Sequence, residues 1–222
     1  MQSIIYVIKK PKLLINYITL KDKLRRSLDI SKSQINQFIK EYNSFKNYLE
    51  KNYGNLPHSI LTPIRGKVLY CVISAIMPKI IVETSVALGV SSFLILNAIK
   101  LNKIGTLYSI DLPNKDIIGN KEVGFVVPKE LRSNWKLILG DSKTELPKLL
   151  SELKQVNIFF HDSLHTYEHM MFEFETVWPH IKENGLIVSD DIYWNNAFID
   201  FAKKVNSQYT IFDGIGIIKK VS

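Results

Sequence analysis

The sequence predicts an α/β fold in which a mostly parallel sheet carries helices on both faces, with a helical extension before it and an antiparallel hairpin closing it. Three observations carry this reading. Short apolar runs at Ile80–Val82, Thr106–Ile110, Lys136–Leu139, Val156–Phe160 and Gly185–Ser189 alternate with segments of helical period, as in a parallel sheet covered on both sides. Each run stops at or beside an acid (Glu83, Asp111, Asp141, Asp162, Asp190), so the carboxyl ends of the strands collect acids along one edge. Finally, Tyr209–Phe212 and Ile215–Ile218 flank Asp213-Gly214, a hairpin turn pair.

The elements follow in order. Residues 1–30 mix apolar and basic side chains without a clear period. After Ser31, Ile35, Phe38, Ile39, Tyr42, Phe45 and Leu49 recur at three- and four-residue steps; Ser31 or Ser33 caps this helix, and Gly54 with Pro57 ends it. It packs on the main domain or covers the substrate as a lid. Another helix is expected from about Ile64 to Met77, stopped by Pro78. Helices are also read at Phe93–Leu101, Leu146–Leu153 and Ala197–Val205, and a loop with Pro113, Gly119, Gly124 and Pro128 precedes the third strand. Residues 1–60 are thus read as an extension and 61–222 as the main domain.

The totals bound the function. A chain of 222 residues with 46% hydrophobic and 23% charged residues is globular and can bury a sizeable core. The net charge of +8 is scattered, with no base-reading motif beside it, so nucleic acid is not an expected partner. The lone Cys71 lies in an apolar run, which excludes an internal disulfide and fits a cytoplasmic protein. Ile4–Ile8 is too short for a signal peptide, and no uncharged apolar stretch reaches the roughly 18 residues of a membrane span. The basic, apolar first 26 residues leave contact with a membrane surface open.

The chain is organised around Asn157–Ile192, read as strand, turn, helix, strand. Its two runs end at His161-Asp162 and at Asp190-Asp191, which brings three acids together with His165 one turn away. Like charges held together call for a counter-charge, and a divalent cation would supply it. The bland alternative is that Asp190 caps the next helix, Asp191 is solvated and His165 only packs in the turn. His161, His165 and His169 recur every four residues, yet His161 belongs to the strand end, so a zinc site is not expected.

Between the first strand and its helix lies Glu83–Ser92, where small residues allow close backbone approach and a helix start offers free N–H groups. Asp111, at the end of the next strand, is placed to accept hydrogen bonds from both hydroxyls of a ribose. The stretch lacks the glycines of a pyrophosphate turn, and an acid at Glu83 suits an ammonium group. An adenosine carrying an amino acid fits better than a dinucleotide. A Tyr-x-x-x-Lys pair occurs only at Tyr6 and Lys10, ahead of this motif, which is the wrong order for a short-chain dehydrogenase.

Glu83–Ser92, Ser109-Ile110-Asp111, Gly140-Asp141-Ser142, His161–Glu168 and Ser189-Asp190-Asp191 resemble the class I S-adenosylmethionine-dependent methyltransferases, with their Rossmann-like fold. Within them the chain is most similar to a small metal-assisted O-methyltransferase branch grouped with sugar-modifying and cephalosporin-hydroxylase-like proteins. The resemblance covers about residues 64–220. It implies that Glu83, Thr84, Ser85, Gly89, Ser91 and Ser92 surround the methionine part of the cofactor, with Asp162 beside it. Asp111 and Leu112 would border the ribose, and Gly140, Asp141 and Ser142 the adenine. One departure stands out, since relatives usually have glycine where this chain has Ser85.

The resemblance further implies a divalent cation, magnesium before calcium or manganese, on Asp162, Asp190 and Asp191. Asp162 and His165 would be catalytic, His165 as general base. The expected activity is O-methylation of a small hydroxylated acceptor, of sugar or natural-product type, by a homo-oligomer. The alternatives are a non-catalytic scaffold that binds S-adenosylmethionine and a hydroxylase-like enzyme on the same fold. Trp194, just after the double Asp, is either an acceptor platform or a capping hydrophobe.

Overall fold

The computed structural model describes residues 11–54, 56 and 62–221. The chain runs α1 (Pro11–Leu28), α2 (Lys32–Tyr53), α3 (Pro63–Ile76), β1 (Ile80–Thr84), α4 (Val90–Asn102), β2 (Thr106–Asp111), α5 (Lys115–Ile118) and β3 (Trp135–Leu139). It continues through α6 (Ser142–Leu153), β4 (Val156–His161), α7 (Tyr167–Val177), β5 (Ile181–Ser189), α8 (Ala197–Lys204), β6 (Tyr209–Phe212) and β7 (Ile215–Lys219). The strands form one sheet in the order β3-β2-β1-β4-β5-β7-β6. The first five are parallel, while β7 joins β5 and β6 antiparallel. The order reverses between β1 and β4, and a crevice opens there beyond the carboxyl ends of parallel strands.

Alternation along the strands divides the core. Ile81, Leu107, Ile158, Phe160 and Val188 face a layer built from α2, α3 and α4. Their neighbours Val82, Ile110, Phe159 and Ile187 face α6, α7 and α8. Side chains of successive strand residues point to opposite faces, so both layers are dictated by runs that are apolar throughout. Helix α2 starts at a capping box in which the Ser31 hydroxyl accepts from the Gln34 N–H and the Gln34 side chain accepts from the Ser31 N–H. It buries Ile35, Ile39, Tyr42 and Leu49 in the first layer. Cys71 is buried in α3, and that burial pushes its thiol up to about 12.

Two segments outside the sheet differ from the expectation. Pro11–Leu28, read as having no period, is an 18-residue helix that buries Leu20 and Leu24 and ends on Arg25-Arg26, which suit the negative end of a helix dipole. The third-strand approach holds α5 and a 3-10 turn at Lys129–Asn134 rather than plain loop. The apolar start Ile4–Ile8, the Tyr6 and Lys10 pair and Pro57 lie outside the described residues. Among those described, no helix is long and apolar enough to cross a membrane.

Candidate active site

The β1–α4 turn sits at the switch point, and its backbone enters the left-handed region at three alternate residues, only one of them glycine. Ser85, Ala87 and Gly89 all have positive φ, at 73°, 48° and 94°. That alternation curls the chain tightly enough for the Gly89 N–H to reach the Val86 carbonyl at 2.7 Å. Only Gly89 is required by contact: a Cβ there would stand 2.8 Å from the Gly124 Cα and 2.9 Å from Val127 Cγ2. The segment 124–127 closes over the turn, with the Gly124 and Val126 N–H groups donating to the Ala87 and Leu88 carbonyls.

Asp111 holds this turn from the next strand. Its Oδ2 accepts from the Val86 N–H at 2.7 Å and the Ala87 N–H at 2.6 Å. The same carboxylate lines a cavity of about 660 Å³ together with Ser85, Leu112, Gly140, Asp141 and Ser142. Asp141 also caps α6, its Oδ1 accepting from the Lys143 N–H. A second cavity of about 510 Å³ adjoins the first, and Ser85, Ala87, Ile117 and Ser163 line both. Gly89, Ser91, Asp162, His165, Asp190, Asp191 and Trp194 line the second.

Glu83, Thr84 and Ser92 line neither cavity. Glu83 is fully buried behind the turn, where it accepts from the Ser91, Ser92 and Ser109 hydroxyls at 2.5–2.7 Å. Burial pushes its carboxyl up to about 7, against the pull of those three donors. It therefore reaches the cavity only through Ser91 and is not a surface an ammonium group can touch here.

A buried hub went unread in the sequence. Glu173, on α7, accepts from Thr84 Oγ1 at 2.7 Å and Ser163 Oγ at 2.9 Å and meets His161 Nδ1 at 2.6 Å and His169 Nε2 at 2.9 Å. His169 in turn contacts Ser142 Oγ at 3.1 Å. Burial alone would raise this carboxyl, yet His161 and the hydrogen bonds hold it well below the usual carboxylate range. The hub ties β1, β4, α6 and α7 together directly beneath both cavities. Its signal was present, because His169 and Glu173 are four apart on one helix face, but nothing in the sequence pointed that face inward.

His165 occupies the second cavity. Its Nε2 is buried without a hydrogen-bond partner among the described residues and stands 3.8 Å from Asp162 Oδ1. Burial and then His161, 5.2 Å away between ring centres, lower its pKa to about 4, so the imidazole is neutral at pH 7. The Trp194 ring lies 5.4 Å from it and is 70% exposed. Asp162 carries a raised pKa, from burial first and then from Asp190 and Asp191.

A family model described as a methyltransferase domain matches residues 82–192, half of the chain, which holds the whole lining of the first cavity and all of the second's but Thr62, Arg65 and Trp194. The chain belongs to this methyltransferase family. Solved structures agree on the fold. One, from Staphylococcus aureus and named as a candidate caffeoyl-CoA O-methyltransferase, superposes with a TM-score of 0.60 at 16% identity, covering 93% of this chain and 99% of that one. A Podospora anserina methyltransferase bound to S-adenosylhomocysteine gives 0.56 at 15% identity, over 82% and 96%. A Bacillus cereus O-methyltransferase in complex with S-adenosylhomocysteine gives 0.55 at 12%, over 91% and 97%. No curated protein matches the chain.

The two adjoining cavities of the methyltransferase domain open on the Asp111 carboxylate on one side and on the α4 N-terminus on the other. Helix α4 starts at Gly89 with no side-chain cap, so its first N–H groups open on the second cavity, where a carboxylate would be welcome. The expected divalent-cation set does not fit. Asp190 and Asp191 are already joined by the Arg65 guanidinium, whose Nη1 lies 3.0 Å from Asp190 Oδ1 and 2.6 Å from Asp191 Oδ1. Among the described residues no group of three His, Cys, Asp or Glu side chains is disposed to hold a metal ion. The helix-cap alternative for Asp190 does not hold either, since α8 begins after Asn196 and Asp190 is buried.

Proposed function

We propose that this methyltransferase moves the methyl group of S-adenosylmethionine to a hydroxyl oxygen of a small acceptor of sugar or natural-product type, with His165 as base. The observation that carries the reading is His165, neutral and with no hydrogen-bond partner at its buried Nε2 among the described residues, lining a cavity that adjoins a larger one across Ser85 and Ser163. The relatives solved with S-adenosylhomocysteine support the cofactor. When bound, S-adenosylmethionine supplies a methyl group on a positively charged sulfur.

The residues then have distinct tasks. Asp111 and Ser142 border the ribose and adenine side, and Ser91 with the α4 N-terminus borders the methionine side. Asp162, rather than the shielded Glu83, is the acid that faces a cationic group. Trp194 gives the acceptor a flat wall beside His165. Bound S-adenosylmethionine would supply the methyl group and take back the carbon–sulfur electron pair, and His165 would accept the proton of the acceptor hydroxyl. Holding oxygen, carbon and sulfur in line supplies much of the acceleration.

The test is S-adenosylhomocysteine release across a panel of hydroxylated acceptors, with His165→Asn beside the parent. Loss of about 10²–10⁴-fold in kcat at unchanged cofactor affinity is expected for a general base. Tight S-adenosylhomocysteine binding without turnover on any acceptor would favour a non-catalytic scaffold. Turnover unaffected by His165→Asn would remove the base assignment.

A further inference from the structure

Arg65 comes from outside the strand edge, on the first turn of α3, and ends among the acids expected to need a cation. Its placement is built from several sides. The Arg65 N–H bonds to the capping Thr62 hydroxyl, and its Nε donates to the Asp213 carbonyl at 2.9 Å. The β6–β7 turn is shaped around it, because a Cβ on Gly214 would come within 2.4 Å of Nη2. The Gly214 carbonyl then accepts from the Ile192 N–H, which locks the turn to the double-acid segment. Only 18% of the Arg65 side chain is exposed.

From this geometry we infer that Arg65 is the resident counter-ion of the acid cluster and keeps divalent cations out, so the site works without one. The Oδ1 atoms of Asp190 and Asp191 that would ligate a cation are the atoms nearest Nη1. The Asp190 contact is close but misaligned for a hydrogen bond, and Asp190 Oδ1 is buried, so it is paired by charge alone. A divalent cation would have to sit against a fixed positive charge. A guanidinium gives a permanent planar charge but no open coordination position, so acceptor activation falls to neighbouring side chains rather than to a Lewis acid. The inference concerns the acid cluster itself and does not depend on which acceptor is methylated.

Manganese binding, followed by electron paramagnetic resonance on the purified full chain, tests it. The parent protein should bind no manganese up to about 1 mM, and Arg65→Ala should bind it at least about a hundredfold more tightly. Asp190→Asn in the Arg65→Ala background should abolish that new binding. Arg65→Lys, which keeps the charge, should bind no better than the parent. Tight manganese binding by the parent that Asp190→Asn removes overturns the inference, and this measurement needs no variant of Arg65 to fold. An Arg65→Ala protein that is folded by circular dichroism and still binds no manganese overturns it as well.

Discussion

Replacing both Ser85 and Ala87 by glycine should stabilise this protein, although both line the cavities. Each residue sits in the left-handed region, at φ 73° and 48°, where a side chain costs about 1–2 kcal/mol. Glycine removes that cost but loses about 0.4–1 kcal/mol through the freedom it gains in the unfolded chain. The net gain is about 0.5–1 kcal/mol per site, or about 1–2 kcal/mol for the pair. In a chain of this size that corresponds to a rise in Tm of about 2–8 °C. Neither side chain makes a hydrogen bond among the described residues that glycine would forfeit. Gly89→Ala in the same turn should behave oppositely, because its Cβ meets the Gly124 backbone at 2.8 Å. Calorimetric melting and titration with S-adenosylhomocysteine read both effects. A double-glycine variant that melts lower, or whose affinity falls more than about tenfold, would mean that Ser85 and Ala87 are contacts the ligand needs; affinity that holds while Tm rises would show them to be tolerated substitutes for glycine.

The other expectations concern the acids. Asp111→Ala should abolish S-adenosylhomocysteine binding and destabilise the fold by about 1–3 kcal/mol for each of the two N–H groups left unpaired; unchanged affinity in titration would refute the placement of Asp111 at the ribose. Glu83 is raised from an ordinary 4.5 to about 7, so the folded state holds its proton longer than the unfolded one. Stability should therefore fall by about 3 kcal/mol as pH rises through that window, and Glu83→Gln should flatten the trend; parallel denaturant midpoints for parent and variant at pH 5 and pH 8 would contradict this. Glu173 has the opposite sign. Its depressed carboxyl contributes fully above the ordinary value of 4.5 and drains away as pH falls below it, so Glu173→Gln should shrink the loss of stability between about pH 5 and pH 3, and an unaltered acid transition would count against the hub.

The sheet was legible because its strands are apolar on both faces and stop at acids, which fixed their order of use and their common edge. Where the reading fell short, tertiary contact had overridden local pattern. Helix α1 has only Leu20 and Leu24 buried at its described end, too sparse a stripe to stand out from its lysines and arginines. Strand β5 begins at Ile181, four residues earlier than its apolar run, because Lys182-Glu183-Asn184 bulges where β4 shifts register, and a Cβ on Gly185 would stand 2.8 Å from the Asn157 carbonyl oxygen. In the site, the acids were found and their neighbours were not. Arg65 lies 125 residues before Asp190, and no periodicity links an α3 side chain to a β5 end. Ser85 looked like a departure from a glycine motif, yet the backbone keeps the motif's conformation and accepts the side chain.

An edge that gathers this many acids works only if each is neutralised in its own way, and those ways separate structure from chemistry. Glu83 is shielded by burial while three serine hydroxyls satisfy its oxygens, and Glu173 is kept ionised by its histidines and by the Thr84 and Ser163 hydroxyls. Asp111 has one oxygen committed to the turn it holds. Asp190 and Asp191 share Arg65. That leaves Asp162, raised by burial and then by Asp190 and Asp191, beside a histidine whose own pKa is depressed. The two shifts run toward each other, the carboxyl up and the imidazole down, so each group is held away from its charged form, and both stand beside the junction of the two cavities. This is the arrangement in which a positive ligand and a departing proton can be accommodated without moving anything else in the sheet.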